Sequence, residues 1–304
     1  QKVLFEVRQD VESGSTLADS LRRHPKVFNE LFCNMIAAGE AGGILDTILQ
    51  RMSSYIEKRV KLQAAVRSAM IYPTAVITIA IGVVVIILWK VIPTFAALFE
   101  GLGAQLPLPT RITIAVSNFL GRYMWLIALL LTAGVVALIQ YRRTHAGKRH
   151  IDRIVLKLPI LGMLMRKIAV ARFCRTLGTL LTSGVPILDG LEITARTSGN
   201  SIVEDAIMAT RKSIEEGKTI AQPLEETDVF PPMVIQMISV GEQTGALDAM
   251  LSKIADFYED EVDEAVENLM ALLEPAMILF LGVMIGGIVI SMYMPMFSLI
   301  GKIS

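Results

Sequence analysis

Side chains that do chemistry are scarce in this chain. Two of its 304 residues are cysteine and three are histidine. Cys33 and Cys174 lie singly in apolar stretches, which excludes a Cys-x-x-Cys redox pair and a disulfide framework and points to buried thiols in a reducing compartment. His24, His145 and His150 sit among basic or turn residues with no Glu or Cys repeated at ligand spacing, so no metal site is predicted. A phosphate cradle is missing too. Gly217-Lys218-Thr219 looks like the end of one, but Lys212 stands where the first glycine is needed and a helix rather than a strand is predicted before it. Without a nucleophile and base, a metal cluster or a nucleotide loop, neither an enzyme nor a cofactor is expected. The first residue is not Met, and no basic start leads into a short apolar core with a small-residue cleavage site, so a signal peptide is not expected either.

What the chain has instead is most of itself twice. Gly39-Glu40-Ala41-Gly42-Gly43-Ile44-Leu45-Asp46 returns as Gly241-Glu242-Gln243-Thr244-Gly245-Ala246-Leu247-Asp248, 241 minus 39, a shift of 202. The same shift carries Phe28 to Phe230, Pro73 to Pro275, Pro93 to Pro295 and Phe95 to Phe297. Upstream a single gap makes it 203, so that Gly14-Ser15-Thr16 meets Gly217-Lys218-Thr219. A period this long implies two related domains rather than a stacked array. On this register Gln1 faces Glu204, and the first copy is expected to open within a helix, lacking the counterpart of roughly Leu158 to Val203.

Hydrophobic residues make up 53% of the chain and the mean hydropathy is +0.55, yet 29 basic residues balance 29 acidic ones. The charges are segregated. Ser68 to Trp89, Tyr123 to Tyr141 and Ala276 to Met294 contain no Asp, Glu, Lys or Arg, and each is long enough to cross a core of about 30 Å. Lys58, Arg59, Lys61 and Arg67 precede the first span and Arg142, Arg143, Lys148 and Arg149 follow the second, whereas the stretch between holds only Lys90, Glu100, Arg111 and Arg122. This asymmetry predicts a cytoplasmic domain over 1–67, spans over 68–92 and 123–141 joined by an extracytoplasmic connection 93–122, a second cytoplasmic domain over 142–273, a span over 274–295 and an extracytoplasmic tail 296–304. The acidic flank of the third span (Asp256 to Glu267) and the lone Lys302 beyond it run against the rule locally, but acidic residues weigh little in it.

Apolar positions in the second copy recur at three and four residues: Phe173, Leu177, Leu180 and Leu181, then Ile187, Leu191 and Ile193, then Ile202, Ala206, Ile207 and Ile214. With stops at Ser183-Gly184, Ser198-Gly199-Asn200, Glu216-Gly217 and Phe230-Pro231-Pro232, this predicts an all-α chain without strands, two homologous helical bundles plus three transmembrane helices. The last soluble helix of each copy is predicted to run on into its span, about Ile44 to Pro93 and Ala246 to Pro295. Pro73 and Pro275 should bend these helices near the membrane surface, either as a set angle or as a tolerated kink.

The Gly-Glu-x-x-Gly-x-Leu-Asp turns, with Lys253-Ile254-Ala255-Asp256-Phe257-Tyr258 and the Glu274-Pro275 opening of the last span, resemble the GspF/PilC family of inner-membrane platform proteins over essentially the whole chain. Ala171-Arg172-Phe173-Cys174-Arg175-Thr176-Leu177, Ser183-Gly184-Val185-Pro186 and the tail Met292-Tyr293-Met294-Pro295-Met296-Phe297 are more similar to the type IV pilus branch than to the type II secretion branch. The resemblance implies a scaffold, a homo-oligomer in the bacterial inner membrane that touches cytoplasmic hexameric motor ATPases, pilin subunits and other inner-membrane assembly proteins as well as membrane lipid. No nucleic-acid partner is implied. A secondary transporter is the rival from another class, but no intramembrane charge marks a site for a polar solute.

Several residues are singled out for partner contact or architecture. Gly39, Gly43, Gly241 and Gly245 would permit the tight turn between helices, while Glu40, Asp46, Glu242 and Asp248 would either cap helix starts or meet partners. Under the 202 shift Lys58, Arg59 and Lys61 fall on Asp260, Glu261 and Asp263, a reversal of sign. Either the matched faces meet each other or different partners, or the basic trio only orients the first span. Asp256, Asp260, Asp263 and Glu267 share a helical face that is solvated, contacts a protein or holds a cation. Gly282 and Gly286 offer a close-approach surface for self-association, packing within the chain or pilin contact.

Overall fold

A computed structural model describes residues 2–101, 106–159, 161–227 and 229–303, with the side chains of 100, 101 and 298–303 left aside. Glu100, Lys302 and Ser304, which entered the topology argument, therefore lie outside the described side chains. Among the described residues the chain is helical with no strand. The helices are α1 (Lys2–Glu12), α2 (Leu17–Arg22), α3 (Glu30–Gly42), α4 (Leu45–Ile86), a π-helical turn (Ile87–Val91), α5 (Ile92–Gly101), α6 (Leu108–Arg143), α7 (His145–Lys157), α8 (Leu161–Thr182), α9 (Ile187–Thr197), α10 (Ser201–Glu215), α11 (Ala221–Glu225), α12 (Pro232–Thr244) and α13 (Leu247–Ile303). The stops are where local chemistry puts them. Asn200 caps α10 by accepting from the N–H groups of Ile202 and Val203 at 2.9 and 3.3 Å, and Pro232 opens α12 at a position whose N–H has no helical partner. The repeat is visible in the boundaries: α3 and α12 start at 30 and 232 and end at 42 and 244, and α4 and α13 start at 45 and 247, each a difference of 202.

The chain divides into two compact units, 1–65 with 144–266 and 66–143 with 267–304. In the first unit, one apolar cluster belongs to the second copy: Phe173, Leu177, Leu191, Ile207, Ile238, Leu251 and Ile254 are buried together, and the rings of Phe173 and Phe230 lie 4.9 Å apart. The other gathers Leu31, Met35, Ile36, Ile48 and Met52 of the first copy, but Leu180, Val185 and Ile193 of the second copy complete it. Both clusters lie within one unit, and the first is not self-contained. The physical reason is α8, which buries apolar side chains on two faces. Phe173 and Leu177 face one cluster and Leu180 the other, so the helix is buried on both sides.

The second unit holds the parts of α4, α6 and α13 that are apolar enough to cross a membrane. Its core is Val84, Leu88 and Ile92 against Ile114, Leu120, Met284, Ile288 and Met292. The helices are longer than the charge-free spans: α6 begins at Leu108 rather than near Tyr123, and α13 continues past Pro295. Pro73 and Pro275 lie inside continuous helices.

Pro93 and Pro295 reveal a feature not anticipated from sequence. Proline has no N–H, so Pro295 leaves the carbonyl of Ser291, four residues earlier, without its helical donor. At the π-helical turn the register is five, since the N–H of Ile92 donates to the carbonyl of Ile87. Pro93 therefore leaves the carbonyl of Leu88 bare. Both carbonyls receive hydroxyls from α6: Thr110 Oγ1 donates to Ser291 at 2.6 Å, and Ser117 Oγ donates to Leu88. Thr113 Oγ1 adds a bond to Ser291 Oγ at 2.8 Å. Thr110, Ser117 and Ser291 are all buried, and their hydrogen bonds are what make polar groups tolerable there.

Candidate functional site

Each repeated turn is built from two glycines with different duties. Gly43 and Gly245 have φ of 68° and 70°, the left-handed conformation that ends α3 and α12. In the first copy the closing bonds are Ile44 N–H to the Gly39 carbonyl (3.0 Å) and Gly43 N–H to that of Glu40 (3.3 Å). Gly39 and Gly241 are instead close-approach positions. A Cβ at Gly39 would lie 2.9 Å from Ile48 Cγ1, and one at Gly241 would lie 3.0 Å from Leu247 Cα.

The motif glutamates reach away from the turn. The Glu40 carboxylate accepts from the N–H groups of Leu17 (2.7 Å) and Ala18 (2.9 Å), while Thr16 Oγ1 accepts from Asp19 (3.1 Å). Three of the orphan amides at the start of α2 are thereby satisfied, with negative charge placed at the positive end of the helix. Glu242 reaches the matching place in the second copy but holds one amide there, both oxygens accepting from the N–H of Ile220, just before α11, at 2.9 and 3.1 Å. Asp46 and Asp248 lie in the first turns of α4 and α13, where an anion also opposes the helix dipole. The motif therefore ties three successive helices of each copy.

Beside the first turn is an open groove of about 660 Å³ lined by Glu30, Asn34, Gly42, Ile44, Asp189 and Glu192 among others. Its acidic rim is partly countered by Arg196, which pairs with Glu192 at 2.7 Å and Glu30 at 3.3 Å. Ser183-Gly184-Val185-Pro186, which in sequence mark a helix stop and share in the family resemblance, form one wall of the groove.

The two copies are joined by charge through α8. Arg175 makes a two-pronged pair with Glu259, both bonds 2.8 Å, and also bonds Asp256. Lys58 of α4 reaches Asp256 at 2.6 Å and Glu259 at 3.9 Å. Tyr55 and Thr176 hydroxyls meet at 3.3 Å, and Arg51 donates to the carbonyl of Thr182. Burial alone would push the Asp256 carboxyl up, but the hydrogen bonds of Lys58 and Arg175 outweigh it and hold the carboxyl below its ordinary value. For Arg175, burial lowers and the bonds to Glu259 and Asp256 raise, and the bonds prevail. Arg172, half-buried and close to Arg59, is pushed down by burial first and by that like charge second. Its guanidinium donates to the Ser198 carbonyl at 2.9 Å. Burial pushes the Cys174 thiol up, away from the reactive thiolate.

Among the described residues no sign-reversed residue forms an ion pair with its own repeat match. Lys58 meets Asp256, which the 202 shift matches to Ser54, rather than its own match Asp260. Glu261 pairs with Lys167 of α8 at 2.5 Å. Lys61, Asp260 and Asp263 have no ion pair among the described residues. α8 lies between α4 and α13, so it takes the acidic helix as its own partner and leaves one cation to bridge the copies. Arg175 was missed as the hub, although a charged residue inside the apolar Phe173 to Leu181 run was a legible signal. A Cβ at Gly282 or Gly286 would meet no heavy atom of another segment within 4 Å among the described residues. Gly217-Lys218-Thr219 follows helix α10, and Lys218 lies 3.8 Å from Glu216.

Comparison with known proteins agrees with this architecture. The family model for the type II secretion system (T2SS), protein F, matches residues 1–93 and 173–295. The type IV pilus assembly protein PilC of Myxococcus xanthus is 52% identical over all of this chain and 73% of its own length, and that of Thermus thermophilus is 48% identical over all of this chain and 75% of its own. The type II secretion system protein F of Vibrio cholerae is 36% identical over 98% of this chain and 73% of its own length. The chain belongs to the type II secretion system protein F family.

Proposed function

We propose that this chain is the inner-membrane platform of a type IV pilus assembly machine, without catalysis of its own, passing work done by a cytoplasmic motor ATPase to pilin subunits in the membrane. The observation that carries the reading is the identity of 52% and 48% to pilus assembly proteins along the whole chain, against 36% to the secretion protein. The geometry supports a transmitting role. α4 and α13 are each unbroken from the soluble unit into an apolar span, and Lys58, Arg175, Asp256 and Glu259 couple them within that unit. A push on either copy is felt by the other. We place residues 1–67 and 142–273 in the cytoplasm and the C-terminus outside it, with the motif turns and the groove beside Gly42 as the surface a motor meets. Gly282 and Gly286 face outward for a second copy or a pilin.

The test is complementation of a pilus-negative strain lacking this gene. Reversing charge at Lys58, Arg59 and Lys61 should abolish piliation while cysteine labelling reports normal topology, and the detergent-solubilised parent should retain a hexameric ATPase in a pull-down. Inverted topology would reduce the basic trio to a signal for orienting the span. Rescue of secretion instead of piliation would transfer the protein to the secretion branch.

A further inference from the structure

We propose that the corner between α7 and α8 is a binding site for anionic phospholipid headgroups. α6 ends in Arg142 and Arg143, and α7 starts two residues later at His145, so the basic helix follows the apolar helix directly in the chain. α7 then carries Arg149, Arg153 and Lys157 at four-residue intervals, one face of a helix, and α8 adds Arg166 to the same open groove of about 570 Å³. Two cations at the start of α7 are already paired, Lys148 with Glu204 at 3.6 Å and Arg149 with Asp205 at 2.7 Å. Arg153, Lys157 and Arg166 are exposed and have no ion pair among the described residues. Among the described residues the carboxylates nearby are Asp205, held by Arg149, and Glu225, which shares an adjoining cleft with Arg166.

Beside these cations the corner displays apolar side chains to solvent: Ile154 is 59% exposed, Leu161 41% and Met163 62%. Inorganic phosphate would account for the cations and leave the apolar residues unexplained. A charged headgroup at the edge of acyl chains accounts for both, because interfacial elements combine Lys and Arg with exposed aliphatic side chains, and basic clusters next to a span attract anionic lipid.

The experiment uses the full chain in lipid nanodiscs with a spin label on the Met163→Cys variant, since the native Cys33 and Cys174 are buried and label poorly. In discs containing phosphatidylglycerol the label should be reached by oxygen in preference to a water-soluble nickel chelate. In phosphatidylcholine discs the preference should reverse. Arg153→Gln, Lys157→Gln and Arg166→Gln together, all at exposed positions, should lower retention of phosphatidylglycerol by the detergent-solubilised protein about fivefold per charge, on the order of one-hundredfold in all. Equal nickel access in both kinds of disc, or retention unchanged in the triple variant, overturns the proposal. Protection of the label by inorganic phosphate in phosphatidylcholine discs assigns the groove to a soluble anion, and protection that appears only with an added assembly protein assigns it to a protein partner. Either result overturns it as well. None of these readouts depends on piliation, so failure here is distinguishable from failure of the platform role.

Discussion

Thr110→Val is the sharpest probe of the proline devices in the membrane unit. Valine keeps the shape of threonine and removes only the hydroxyl, so packing of the buried residue is nearly unchanged while the Ser291 carbonyl loses its donor. Measured hydrogen bonds between membrane helices average about 0.6 kcal/mol with a maximum near 1.7. A buried acceptor left bare costs roughly 1–3 kcal/mol. Because Pro295 cannot supply the missing N–H, no local substitute exists, and a cost of about 1.5 kcal/mol is expected. Pro295→Ala changes the outcome: it restores the N–H to Ser291, and Thr110→Val should then cost close to nothing. A double-mutant cycle on reversible unfolding in mixed detergent and SDS micelles measures the coupling, expected near 1 kcal/mol and of rescuing sign. Equal costs of Thr110→Val in the two backgrounds would show that the hydroxyl does not serve the carbonyl freed by the proline. Ser117→Ala with Pro93→Ala repeats the test at the π-helical turn.

Further consequences follow from the unit formed by 1–65 and 144–266. Arg175→Ala removes the two-pronged partner of Glu259 and leaves only Lys58 beside the two carboxylates, and should cost about 2–3 kcal/mol of thermal or denaturant stability, more than Lys58→Ala, whose side chain is more exposed. Asp256 is held below the ordinary carboxylate value of about 3.9 when folded, so its contribution is complete above that pH and is lost as pH falls through the lower, folded value. Stability measured below about pH 4 should therefore fall less steeply in Asp256→Asn than in the parent. Glu40→Ala removes two charge-assisted bonds to the start of α2 and should cost about 2 kcal/mol, with Glu40→Gln recovering part of it, read by thermal unfolding. Gly39→Ala, which drives a methyl to 2.9 Å from Ile48, should loosen the α3–α4 corner, raising amide exchange at Leu17 and Ala18 as Glu40 is displaced.

Local chemistry carried most of the fold. Helix breaks at Gly184, Gly199, Gly217 and Phe230-Pro231-Pro232, the apolar spans and the duplication were all legible, because each depends on residues close together in the chain or on direct comparison of its two copies. The turns at Gly43 and Gly245 were legible for the same reason. What Glu40 and Glu242 bind was not, since their partners lie 23 and 22 residues earlier on another helix. Only the tertiary structure decided that α8 is shared between two apolar clusters, so that Leu180 and Ile193 serve the first copy while Phe173 and Leu191 serve the second. It also decided that Lys58 meets Asp256 and not its repeat mate, and that hydroxyls of the unduplicated α6 satisfy carbonyls freed in both duplicated spans. Periodicity and punctuation are properties of the chain, whereas the choice of partner for a charge or a bare carbonyl depends on which helices end up adjacent.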